Sequence, residues 1–107
     1  MVAQGKLPKH YRWLKEEYPE VAKAYEKLGD AVHGAGPLDE RTRALVKLAV
    51  SVGARLEGAV HSHTRKALAV GLRPEDIRHA VLLAMPTIGL PGTVAALSWV
   101  GDVLAKK

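Results

Sequence analysis

Residues 57–71 read EGAVHSHTRKALAVG, and this stretch indicates both the fold class and the polar groups that chemistry could use. Glu57 and His61 are four residues apart, as are His61 and Arg65, so a helix would align all three on one polar stripe. His63 follows two residues after His61 and would point roughly away from that stripe, towards small apolar neighbours. The stretch therefore predicts a helix that carries polar groups on two faces.

Further helices are predicted on both sides of this segment. Pro8, Pro19 and Pro74 each stand where a helix can begin, because proline is tolerated at a first helical position. Asp39 is placed to accept a hydrogen bond as an N-cap. The helix from Pro74 is predicted to continue through Met85, and the last helix to span 91–104. Because no stretch shows sustained strand alternation, we predict an all-α, compact bundle of about five to six helices.

The length and composition favour one small domain that gains from association. The chain has 107 residues with no visible repeat, so we predict a single domain over residues 1–107. It contains sixteen alanines and no phenylalanine, and each alanine buries little area. A core of this kind has a thin margin of stability alone. We therefore expect a homo-oligomer.

The net charge of +5 and the pI near 9.7 favour anionic partners. The basic residues are scattered along the chain, and no helix-turn-helix, zinc-finger or aromatic-plus-basic motif accompanies them. Lys106 and Lys107 are best explained as a solvated tail. We therefore expect no specific nucleic-acid partner.

A membrane span and a signal peptide are both disfavoured. The 22 residues from Ala80 to Gly101 carry no charge, which is long enough to span a bilayer, but prolines and glycines interrupt their middle. The first ten residues, MVAQGKLPKH, lack the apolar core of a signal peptide. The expectation is a cytoplasmic protein without a membrane partner.

On spacing alone, the histidines leave several roles open. Glu57 and His61 could form a reactive pair or only an exposed ion pair of small energy. A metal site would need a third ligand, and nothing in the sequence places His33 or His79 nearby, so we predict no metal. His63 could equally be a satisfied core or interface histidine. The chain has no cysteine, which excludes disulfides, thiol catalysis and cysteine metal ligands.

Several segments together resemble the carboxymuconolactone decarboxylase and alkylhydroperoxidase D-like family. The matching segments are LDERTR from Leu38, LVKLAVS from Leu45, HTRKALAVG from His63, PEDI from Pro74 and MPTIGLP from Met85. The resemblance implies an all-helical subunit in an obligate oligomer, commonly a trimer or hexamer. It also implies an active site near the signature helix at a subunit contact, with His63 on the family's signature histidine.

The chain departs from the family where the family's thiol chemistry would lie. Leu56 and Ala59 occupy the positions of the cysteine pair, and Ala44 occupies that of an assisting glutamate. In the decarboxylase branch an acidic residue usually lies one turn before the histidine. The nearest here is Glu57, displaced by a residue or two. A cysteine-free member is expected to have lost peroxidase activity.

The resemblance therefore implies a cofactor-free lyase acting on a small carboxylic acid, such as a lactone. His63 would donate the proton that returns to carbon after carbon dioxide departs, since histidine exchanges protons near neutral pH. Glu57 would orient His61, and Arg65, Lys66 and Arg55 would seat carboxylates. Two alternatives stay open: a non-catalytic oligomer that binds a small acid or a protein, and a redox accessory that needs an external reductant.

Overall fold

The computed structural model describes residues 8–105, which form six helices and no strand. The helices are α1 (Lys9–Glu17), α2 (Pro19–His33), α3 (Glu40–Gly53), α4 (Glu57–Ala69), α5 (Pro74–Leu82) and α6 (Met85–Leu104). This confirms the all-α prediction and the expected number of helices. The N-terminal residues 1–7 and the predicted tail at Lys106 and Lys107 lie outside the described part.

The chain divides into two compact units, Met1–Leu38 and Asp39–Lys107. The first contains α1 and α2. The Tyr11 hydroxyl of α1 donates a 2.9 Å hydrogen bond to Glu26 Oε2 of α2, and Lys15 Nζ lies 3.5 Å from the same oxygen. Burial and this hydrogen bond raise the pKa of the Tyr11 phenol. These polar contacts and an edge-to-face contact between the rings of Tyr11 and Tyr25, 6.3 Å apart, join the two helices. The prediction of one domain over 1–107 stays a prediction.

Helix α2 leaves its apolar side chains in solvent. Its amphipathic residues recur at spacings of three and four, and all are 56–62% exposed: Val21, Tyr25, Leu28 and Val32. Ala22 is the buried residue of this helix. We call these four side chains the α2 stripe. Because apolar side chains on one face normally pack against a partner, the stripe is available for association.

The second unit contains α3 to α6 around the core. The fully buried side chains lie at helical spacings on all four helices and include Leu48, Val52, Val60, Ile77, Val81 and Val100. Buried hydroxyls are satisfied within their own helices: Thr64 Oγ1 donates to the Val60 carbonyl at 2.7 Å, and Ser51 Oγ to the Leu48 carbonyl at 2.7 Å. The core face of each helix is therefore fixed, and the flanks of α4 are left for other contacts.

Two helix starts are as predicted. Asp39 Oδ1 accepts a 2.8 Å hydrogen bond from the Thr42 backbone N–H, and this bond lowers the pKa of the Asp39 carboxyl. At α5, Asp76 Oδ2 accepts a 2.9 Å bond from the Arg73 backbone N–H. Hydrogen bonds from the Arg73 side chain and backbone lower the pKa of Asp76. Local capping chemistry therefore sets both helix starts.

The boundary between α5 and α6 differs from the prediction. Helix α5 ends at Leu82 rather than Met85, and α6 begins with an additional turn at Met85. Its backbone is non-helical at Gly89, so the part of α6 beyond Gly89 agrees with the predicted last helix over 91–104. Pro86 lies in the first turn of α6, where a missing N–H costs no helical hydrogen bond, so this proline begins a helix instead of ending one. The expected interruption occurs at Gly89, whose φ of 86° and ψ of 167° kink the helix.

Helix α6 is long and apolar enough to cross a membrane by length and composition. A core helix of a soluble protein can pass the same test. Its side chains at Thr93, Ala96, Val100 and Leu104 are buried in the protein. The absence of a membrane partner stays a prediction.

Candidate functional site

Helix α4 places its polar side chains on two flanks of a buried face. Val60, Thr64 and Ala67 form the buried face. His61 and His63, both half-buried, lie on opposite sides of it, because residues two apart are roughly 160° apart around a helix. We call the His61 side the α6 flank, because His61 contacts Asp102 of α6, and the His63 side the α3 flank.

The α6 flank holds one imidazole and two carboxylates. His61 Nε2 lies 3.1 Å from Asp102 Oδ2, close enough for a hydrogen bond or, with a protonated ring, an ion pair. A carboxylate oxygen of Glu57 lies within 4.8 Å of both ligand atoms. The predicted proximity of Glu57 and His61 is therefore observed. Asp102 of α6 lies close to both side chains, a contact that spacing along α4 could not indicate.

The α3 flank is positively charged. Burial lowers the pKa of the Lys47 ammonium, and the charges of Lys66 and Arg43 lower it further. Lys47 of α3 therefore lies within electrostatic range of Lys66 of α4. His63 is three residues before Lys66 and so is its neighbour on the helix surface. This arrangement brings His63 to the same side of the α3–α4 pair as the three cations, a placement that suits an anionic ligand.

Arg55 has a structural contact that competes with its predicted role in seating a carboxylate. It follows α3 in the left-handed conformation, with φ of 59°. Its N–H bonds to the Val52 carbonyl, and the Leu56 N–H bonds to the Ser51 carbonyl, which together form a Schellman motif. Its Nη2 donates a 3.1 Å hydrogen bond to the Ile88 carbonyl at the α6 kink.

The structure separates the remaining predicted residues. Arg65 is half-buried and lies one turn beyond His61, whereas Lys66 is exposed near Lys47. None of the six predicted site residues lines the open groove of roughly 390 Å³ between α3 and α5. The lining of that groove is Arg41, Leu45, Leu72, Arg73, Asp76, His79, Ala80 and Leu83. The predicted residues thus form two separate groups on α4. Arg55, just before the N-terminal end of α4, belongs to neither group and contacts the α6 kink.

Sequence reasoning missed Asp102 and Lys47. Asp102 is 41 residues from His61, so no local spacing relates them. The sequence offered one indication: Asp102 is the one acidic residue in the otherwise apolar C-terminal helix, and charged residues in such helices usually have a partner. Lys47 was not among the predicted site residues, because its approach to Lys66 depends on how α3 packs on α4.

Comparison with known proteins gives the same family over most of the chain. Residues 19–102 match the model of the carboxymuconolactone decarboxylase family. The chain is similar to a crystal structure from Burkholderia xenovorans LB400, named as a candidate carboxymuconolactone decarboxylase, with a TM-score of 0.71 and 20% identity. That similarity covers 95% of this chain and 83% of the other, and at this identity it shows the fold.

A curated relative is an uncharacterised protein of Haemophilus influenzae, 36% identical over 61 residues. These residues are 57% of this chain, and the match spans 54%, about half, of the relative's length. With the family model matching most of the chain, the predicted resemblance is confirmed. The chain belongs to the carboxymuconolactone decarboxylase family and is a member without cysteine.

Proposed function

We propose that the protein is a cofactor-free lyase that removes carbon dioxide from a small organic acid at the α3 flank of α4. The observation that carries this proposal is the group of cations on the α3 flank, where Lys66 and Arg43 act on the charge of Lys47. His63 comes three residues before Lys66 on α4 and so belongs to the same flank. A decarboxylase needs positive charge to hold a carboxylate and an acid to protonate carbon. The α3 flank offers both within one helix pair.

The bonds and protons of the proposed decarboxylation balance with His63 as the proton donor. The carbon–carboxylate bond breaks and carbon dioxide leaves, while its electron pair delocalises through a double bond into a lactone carbonyl. The imidazolium of His63 then gives its proton to carbon and is reprotonated by solvent. The cations hold a carboxylate and stabilise the negative charge that develops on the carbonyl oxygen.

The predicted roles of the other residues change in this arrangement. Lys66 keeps its predicted role in seating a carboxylate, and Lys47 and Arg43 join it. Arg55 is assigned to the α6 kink, because its guanidinium already donates to the Ile88 carbonyl. Glu57, His61 and Arg65 lie away from the α3 flank and are assigned no step in the reaction.

Thiol peroxidase activity is disfavoured on chemical grounds. The chain has no cysteine, and Leu56 and Ala59 stand at the family's cysteine positions. Neither side chain can form the sulfenic acid through which a thiol reduces peroxide. A redox role would need an external reductant and a different reactive group.

The lyase proposal predicts that His63→Gln lowers kcat by about 100-fold while the fold is retained. Glutamine keeps the approximate size and polarity of histidine but cannot transfer the proton. The measurement is the loss of 4-carboxymuconolactone and the release of carbon dioxide by purified protein. His79→Gln on α5 is the matched control, because His79 is an exposed histidine outside the proposed site.

A second variant separates binding from proton transfer. Lys47→Met keeps the length of the side chain and removes its charge, so it should raise KM more than it lowers kcat. Equal turnover by wild type and His63→Gln would refute the assignment of His63. A wild-type protein without turnover on this and related lactone acids would favour the second candidate, a non-catalytic binder, to be tested by calorimetry with the same acids.

The α2 stripe favours assembly into a homo-oligomer, and we propose that other copies of the chain cover it. Four apolar side chains on one face are more than half exposed, and association of identical copies is the commonest way to cover such a face. Because the alanine-rich core is small, the subunit would gain stability by burying more apolar area against another copy. A trimer or hexamer, as the family resemblance implies, is the proposed state.

This assembly predicts that Leu28→Glu reduces the molar mass in solution to that of smaller species, because a buried carboxylate without a partner is costly. Light scattering coupled to size-exclusion chromatography measures the mass. Lys23→Glu, on the opposite face of α2, places the same residue away from the stripe and should leave the mass unchanged. A Leu28→Glu protein with the wild-type mass would exclude the stripe as the interface.

A further inference from the structure

The α6 flank of α4 brings three metal-ligating side chains to one point. Glu57 and His61 come from α4, and Asp102 comes from the last turn of α6. One ligand atom of each lies within 4.8 Å of the others, and the closest pair, His61 Nε2 and Asp102 Oδ2, is 3.1 Å apart. Two helices of the same core hold this set.

An ion pair alone explains only part of this arrangement. His61 and Asp102 would suffice for such a pair, which at this exposure contributes little to stability. Glu57 adds a second carboxylate at the same point, and two carboxylates repel each other unless positive charge lies between them. A divalent cation would supply that charge and could contact all three groups.

The distances and donor types suit a transition metal. Bonds of about 2.0–2.1 Å from zinc to nitrogen and oxygen put neighbouring ligand atoms of a tetrahedral site roughly 3.4 Å apart. The His61–Asp102 separation of 3.1 Å is already near this value. Glu57 is exposed and in the first turn of α4, so rotation of its side chain can close the remaining distance.

We propose that Glu57, His61 and Asp102 form a binding site for a first-row divalent transition-metal ion, with Zn²⁺ as the reference ion. The site joins α4 to α6 and leaves a fourth position to water. The imidazole nitrogen favours zinc or cobalt over magnesium and calcium, which prefer sets composed of oxygen alone. The site lies on the flank of α4 opposite His63, so it is separate from the proposed lyase reaction.

The test uses the full chain, with any affinity tag removed and after treatment with chelator. Calorimetry with Zn²⁺ should give one ion per chain with a Kd of about 1 μM or below. Co²⁺ should give the visible absorption of a low-coordinate site with a nitrogen ligand. Glu57→Gln, His61→Gln and Asp102→Asn should each weaken Zn²⁺ binding by at least about tenfold. His63→Gln and His79→Gln, which remove histidines elsewhere, should leave it unchanged.

A thermal shift supplies a second readout that does not depend on activity. Zn²⁺ should raise the Tm of the wild type, because the ion binds only when α4 and α6 are packed together. It should not raise the Tm of Asp102→Asn, whose fold is checked by circular dichroism. The proposal would be overturned by any of three results. They are no binding at a Zn²⁺ concentration 100-fold above this Kd, binding of Ca²⁺ as tight as that of Zn²⁺, and unchanged Zn²⁺ binding in all three ligand variants.

Discussion

Leu48→Ala is expected to lower the free energy of unfolding by about 3 kcal/mol. Leu48 is fully buried on α3, and its side chain belongs to the core formed by α3 to α6. Truncation removes the buried methyl groups and leaves a cavity that neighbouring helices fill only in part. For a chain of this length, such a loss corresponds to a fall in Tm on the order of 10 °C.

Urea unfolding at fixed protein concentration measures this change, because association would make the transition depend on concentration. Val50→Ala on the same helix is the matched control. Its side chain is 65% exposed, so its truncation should change stability by less than about 0.5 kcal/mol in the absence of an interface. Equal effects of the two variants would contradict the assignment of the α3 core face.

Gly89→Ala is expected to cost about 2 kcal/mol, because its backbone conformation is one that only glycine adopts without strain. Its φ of 86° with ψ of 167° lies outside every region open to an L-residue. A methyl group added at this position would have Pro91 Cδ as its nearest neighbour at 3.8 Å, an ordinary contact. The cost therefore comes from the backbone and not from crowding.

Gly101→Ala isolates this backbone effect. Gly101 lies in the same helix with helical geometry, and a methyl group there would meet no atom within 4 Å apart from its chain neighbours and the backbone of its own helix. Alanine favours helix over glycine, so this variant should be neutral or more stable by about 0.5–1 kcal/mol. The expected result, measured by thermal unfolding, is a loss of stability for Gly89→Ala and no loss for Gly101→Ala. Destabilisation of both would indicate packing of α6 as the cause.

Much of the fold could be predicted because its signals are local. The Asp39 cap and the helix starts at Pro19 and Pro74 each depend on atoms within a few residues. The predicted end of α5 at Met85 was wrong because a proline can either end a helix or occupy its first turn. Which occurs depends on the packing of α6, and the sequence around Pro86 does not distinguish them.

The candidate site was predictable only along one helix. The proximity of Glu57 and His61 follows from their spacing of four residues. Asp102 and Lys47 join the two flanks through the packing of α6 and α3 on α4, and the pattern of a single segment carries no information on such contacts. Arg55 was predicted to seat a carboxylate. Its partner Ile88 is 33 residues away in the sequence, so the spacing of nearby residues gave no indication of this contact.

The left-handed Arg55 also limits how this chain can evolve. Glycine at position 55 would relieve the backbone, as Gly71 does at the equivalent position after α4, where φ is 92°. However, glycine would leave the Ile88 carbonyl without its guanidinium donor. The left-handed backbone at position 55 thus favours glycine, whereas the hydrogen bond to the α6 kink requires arginine. A change at position 55 should be tolerated only in a background that has already altered the kink, so these positions form an epistatic pair.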